Sequence, residues 1–77
     1  RGKTMAGNIK CEILETFIEF PEIHGYHLEL NLIEWGDNEP KYDFRRWNED
    51  RSRMTKGITL SKEELLVLQD KLSNIKF

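Results

Sequence analysis

Aromatic and basic side chains interleave along one short stretch of this chain: Trp35 just before a turn, then Lys41, Tyr42, Arg45, Arg46 and Trp47. Single-stranded nucleic acid calls for these two ingredients. An exposed ring stacks on the π face of any base, a contact worth about 1–3 kcal/mol, while Lys and Arg follow the phosphates. Binding of this kind is sensitive to salt and nearly indifferent to base sequence. A structural reading stands beside it. Both indoles could fill the core of a small sheet, and Arg45 could simply pair with Asp43 or a neighbouring Glu.

Other chemistry is poorly served. Nucleophilic catalysis needs a Ser, Cys or Lys beside a base, and a metal centre needs converging His, Cys or carboxylate ligands. His24 and His27 are three residues apart, which on a strand sends them to opposite faces, and Cys11 is the sole cysteine. Neither a metal site nor an internal disulfide is expected. The carboxylates form no catalytic signature and read as a solvated face that protects strand edges. Gly57 is a lone glycine, not a phosphate-binding loop. No enzyme activity is expected.

Charge is distributed unevenly. The net charge of -2 argues against nucleic acid when taken as a sum. Yet residues 10–39 carry one positive side chain against eight negative ones, whereas residues 41–56 carry six positive (Lys41, Arg45, Arg46, Arg51, Arg53, Lys56) against three negative. A segregated basic segment can set up a local field on an acidic protein.

These residues must be positioned by a small fold. Seventy-seven residues make one domain at most, with a core small enough that a partner subunit is an expected source of stability. Ile9 to Phe20 reads as a strand ended by Pro21, with large apolar groups on both parities, so that a bulge or two-sided burial is open. Tyr26 to Trp35 alternates as a second strand, and Gly36 to Pro40 reverses the chain. Lys41 to Trp47 is a third strand, with Tyr42, Phe44 and Arg46 on one side and Lys41, Asp43, Arg45 and Trp47 on the other; one side is expected to pack and the other to face a ligand. A charged loop leads to a short strand, Ile58 to Leu60. Ser61 and Glu64 then make a capping box that opens a helix. Leu65, Leu68, Leu72 and Ile75 form its apolar stripe, widened by Leu66 and Val67 beyond what one sheet must cover, which suggests helix-to-helix contact in a dimer. Residues 1–8 are expected to be a flexible N-terminus, partly a cloning remnant with Met5 as a candidate native start. Residues 9–77 are the single domain.

The stretch from Glu39 through Lys41, Tyr42, Asp43, Phe44, Arg45 and Arg46 to Trp47, followed by Met54 through Lys56, Gly57, Ile58, Thr59 and Leu60 to Glu64, resembles the positive cofactor four family of transcriptional coactivators, and especially its bacterial YdbC-like branch. With Leu30, Asn31 and Trp35 the resemblance extends over residues 12–72. It implies a four-stranded curved antiparallel sheet followed by a helix, dimerised through the helices and gripping single-stranded DNA. By position it implies base stacking for Trp35 and Trp47 and phosphate contacts for Arg45 and Lys56, with Lys41, Arg46 and Arg53 as further contacts; Tyr42 and Phe44 would pack in the core. Asp37 and Glu39 stand where eukaryotic members are basic, and the segment near Trp47 is one residue shorter.

The expectation is therefore an α+β homodimer, β-β-β-β-α, that binds single-stranded DNA with little sequence specificity in support of transcription, replication or repair, with RNA as a competing ligand. A protein-interaction module with incidental nucleic-acid binding is the alternative. No cofactor is implied. Without a run of about 18 apolar residues or a signal-like N-terminus, a cytoplasmic, nucleoid-associated setting is expected.

Overall fold

The computed structural model describes residues 3–6 and 9–77, with side chains from Lys10 onward. Strands β1 (Lys3–Ala6), β2 (Ile9–Glu19), β3 (Tyr26–Trp35), β4 (Lys41–Asn48) and β5 (Ile58–Leu60) precede one helix, α1 (Lys62–Leu72). Each strand pairs antiparallel with the next, giving the sheet order β1-β2-β3-β4-β5. The expected four strands and helix are β2 to β5 and α1. β1, at residues 3–6, is an addition to the expected elements. It pairs from Lys3 opposite Glu12 to Ala6 opposite Ile9, occupying backbone groups that would otherwise lie unpaired along the edge of β2. The rest of that N-terminal segment lies outside the described residues.

The turns follow from their residues. His24 and Gly25 both have positive φ, 54° and 82°, and Ile23 and Tyr26 exchange two backbone hydrogen bonds across them. This is the left-handed two-residue hairpin that suits the twist of paired strands, and glycine makes its second position easy.

β2 carries two register shifts, between Ile13 and Glu15 and between Thr16 and Ile18. They account for its mixed apolar parity. Before the shifts, Cys11 and Ile13 lie opposite Trp35 and Ile33; after them, Ile18 lies opposite Leu30, and the Phe17 ring meets Tyr42 at 5.7 Å between centroids. One strand thus supplies apolar side chains to both faces of the sheet.

Each face has its own cover. On one, Cys11, Ile13, Ile33 and Trp47 form the buried core, with Trp35 and Met54 packed against it. Met54 comes from the loop after β4, which folds back so that Met54 bridges Trp47. On the other face, Leu30, Tyr42 and Phe44 look toward α1. The helix begins as its sequence dictates: Ser61 Oγ accepts from the Glu64 N–H at 3.1 Å, and Glu64 Oε1 accepts from the Ser61 N–H at 2.8 Å. Leu65 and Leu68 are half-buried, but no helix residue is buried. An apolar groove of about 440 Å³ runs between helix and sheet, lined by Phe17, Leu30, Phe44, Leu65, Leu68 and Leu72 among others.

Candidate nucleic-acid interface

Strand β4 positions most of the expected site. Odd-numbered residues from Lys41 to Trp47 share the face of Ile33 and Trp35, and even-numbered ones share the face of Leu30 and α1. Both faces pack, so the expectation of one packed face and one free face is corrected: the returning loop covers part of what would have been the free one.

Trp47 is the clearest correction. It is 0% exposed within the core cluster. A ring with no accessible face cannot stack on a base, so its role is packing. Its indole N–H has no hydrogen-bond partner among the described residues. Alternation gave Trp47 its face correctly, but nothing in the alternation shows that the loop will cover that face.

Trp35 is half-buried at the end of β3, and the Arg45 guanidinium carbon lies over its ring, 4.6 Å from the centroid. Arg45 Nε donates to both carboxylate oxygens of Asp43, at 2.9 and 3.1 Å, and Nη1 approaches Met54 Sδ at 3.5 Å. The guanidinium is therefore held by a carboxylate and an indole together, an arrangement stronger than either alone in a partly dry site. Asp43 is fully buried. Burial pushes its carboxyl above the ordinary aspartate value, against the hydrogen bond and charge of Arg45. Burial likewise raises the Cys11 thiol, which keeps it in the unreactive protonated form.

Gly57 stands against this pair. A Cβ there would lie 2.2 Å from the Phe44 carbonyl oxygen and 2.3 Å from Arg45 Cβ, so only glycine lets the chain run this close to β4. The same close run places further cations. The Thr55 N–H donates to the Arg46 carbonyl at 3.0 Å and the Asn48 N–H to the Arg53 carbonyl at 3.1 Å, which brings the exposed side chains of Arg53 and Lys56 alongside the end of β4. Arg46 is exposed on the helix-side face, opposite Arg45, and Lys41 is exposed at the other end of the strand. The basic residues thus form a strip along β4 and its returning loop, split between two faces.

A polar network went unanticipated. Glu29 is 0% exposed, yet it accepts from Asn31 Nδ2 at 2.9 Å and from Arg51 Nη2 at 2.8 Å and Nε at 3.2 Å, and it contacts His27 Nε2. Burial would raise its carboxyl, but the hydrogen bonds from Asn31, Arg51 and His27 and the Arg51 charge bring it below the ordinary glutamate value. Glu19, His27 and Glu29 place ligand-type atoms within 4.8 Å of one another, and Arg51 donates to both oxygens of Glu29, so the cluster's charge is met by a guanidinium of the chain itself. The signal in the sequence was a Glu at a position whose parity, shared with Asn31 and Ile33, points into the core. Such a group is buried only with partners.

The expected dimer residues divide. Leu65 and Leu68 are half-buried against the groove, and Leu72, though exposed, lines it too, as does Leu66; Ile75 and Val67 are exposed. No helix among the described residues is long and apolar enough to cross a membrane.

No family model matches the chain. It is similar to an uncharacterized protein of Treponema pallidum (strain Nichols), 42% identical over 52 residues, which cover 68% of this chain and 61% of that protein. The chain thus spans about three-fifths of the length of the relative that it matches.

Proposed function

We propose that this chain binds single-stranded DNA with little sequence preference and catalyses no reaction, as a homodimer of the positive cofactor four type. The observation that carries this reading is Arg45, held over Trp35 and oriented by Asp43 at the centre of a strip of exposed cations. A guanidinium fixed on an indole offers a base a stacking partner and a phosphate a charge within one group. Lys41, Arg53 and Lys56 extend that charge along the strand and its returning loop. Trp35 and Arg45 supply the stacking; Trp47 supports them from the core. In a cell the role would be to hold melted DNA during transcription, replication or repair, in a cytoplasmic, nucleoid-associated setting.

The groove supports the dimer. Its apolar lining and the exposed Leu66, Val67, Leu72 and Ile75 leave more hydrocarbon in water than a small domain gains from leaving uncovered. A second copy would cover it and bring two basic strips to one strand of DNA.

The same groove favours the second reading, a protein-interaction module. Binding assays on short oligonucleotides separate the two. Retention of oligo-dT at low salt in preference to duplex supports the first reading. Failure to retain either overturns it, and partners captured undiminished after nuclease treatment would then support the second.

A further inference from the structure

Of the six cations in residues 41–56, Arg45 and Arg51 are each paired with a buried carboxylate, Arg45 with Asp43 of its own strand and Arg51 with Glu29 of β3. The φ of Arg51 is 60°, a left-handed conformation that a non-glycine residue adopts at a cost, and such strain persists where the surroundings enforce it. Here the surroundings are far away in sequence. Nε and Nη2 make a fork onto the two oxygens of buried Glu29 in β3, and Nη2 also donates to Thr16 Oγ1 in β2 at 3.0 Å. A residue of the returning loop is thereby tied to two strands. The loop's other hydrogen bonds among the described residues are to its own neighbour, with Asn48 and Arg46 of β4 holding Arg53 and Thr55, while Met54 bridges Trp47 and packs against the core cluster.

We propose that the Arg51–Glu29 fork is a latch, and that Arg51 is a positioning residue which orders the loop and so aims Arg53 and Lys56 at the phosphates without touching them. The DNA part rests on the function proposed above; the ordering of the loop does not. Glu29 Oε1 also accepts from Asn31 and Oε2 contacts His27, so the carboxylate has partners in its own strand besides Arg51. The fork ties the loop to this held carboxylate. An Arg is needed, because a Lys ammonium cannot span both oxygens and Thr16 at once.

The test uses Arg51→Gln, Arg51→Lys and Glu29→Gln in the full chain, with two readouts. The first is amide hydrogen exchange across residues 50–56, which needs no DNA. The latch predicts exchange at least about tenfold faster in all three variants while β2 and β3 stay protected; unchanged exchange overturns it. The second is anisotropy of labelled oligo-dT. Glu29→Gln removes a negative charge, so electrostatics alone predicts tighter binding, whereas the latch predicts binding weaker by about threefold or more. The latch further predicts that the effect of Lys56→Ala shrinks in the Arg51→Gln background while that of Lys41→Ala, at the far end of β4, is unchanged. Independent effects at both lysines would mark Arg51 as a plain phosphate contact or a merely structural residue, and would overturn the proposal. If Glu29→Gln fails to fold, Arg51→Gln carries both readouts. If the unmodified protein ignores oligo-dT, the DNA reading falls and the exchange result still decides the latch.

Discussion

Arg45 lies over the ring of Trp35 while its Nε grips the carboxylate of Asp43. This pairing across β3 and β4 replaces the simpler picture of free aromatic rings among free cations. Trp35→Ala should weaken single-strand binding by about 1–3 kcal/mol, the usual worth of one stacking ring. Arg45→Lys should not restore an Arg45→Ala loss, because an ammonium cannot stack and pair with Asp43 together. Titration of both variants with oligo-dT checks this, and full rescue by Lys would show that charge alone matters.

Trp47 should behave differently. As a fully buried ring it should cost about 3–5 kcal/mol of stability when cut to Ala, enough to threaten a domain of this size. Trp47→Phe should stay folded at a smaller cost, and its binding measured on folded protein should match the parent. A selective loss of binding at full stability would return Trp47 to the DNA surface.

Gly57→Ala tests the close approach of the returning loop. The added methyl would meet backbone and Arg45 Cβ, neither of which can swing aside, so a cost of about 1–3 kcal/mol in denaturant unfolding is expected. Oligo-dT binding should also fall, since the displaced segment carries Lys56 and supports Arg45.

The strand order, most strand limits and the helix start were legible because each rests on local chemistry: Pro21 after β2, the turn at Gly36, the reciprocal cap of Ser61 and Glu64. β2 was legible as a strand but not in its faces, since two bulges move Ile18 and Phe17 away from the side of Ile13, and a bulge has no fixed spelling. Trp47 and Glu29 were hidden for a shared reason. Their burial depends on where a charged nine-residue loop folds back, and that is decided by Arg51 and Met54 meeting partners far along the chain. The Arg45–Asp43 pair, two residues apart on one face, was within reach of the sequence.

Acid should expose the buried network. Glu29 is held below the ordinary glutamate value, so it contributes stability above its unfolded value of about 4.3 and loses it as pH falls through the lower folded value. Asp43 has the opposite sign: raised by burial, its contribution is greatest when protonated and is lost as pH rises through its folded value. Thermal melts of the parent and Glu29→Gln should therefore converge between about pH 6 and about pH 3. A constant gap would show that Glu29 keeps no net gain from its partners.

Dimerisation should be carried by the exposed side of α1. Leu66→Glu combined with Val67→Glu should yield a folded monomer by sedimentation, with weaker DNA binding, since both side chains are more than half exposed in one subunit. An unchanged mass would place the subunit contact elsewhere.

The most direct measurement is fluorescence anisotropy of a labelled oligo-dT of about 20 nucleotides across a salt series, with duplex as competitor. The account predicts tight binding that duplex does not displace and that weakens steadily with salt, with the log–log slope reduced by about 0.7 for each of Lys41→Ala and Lys56→Ala. No binding at low salt, or equal displacement by duplex, would contradict it.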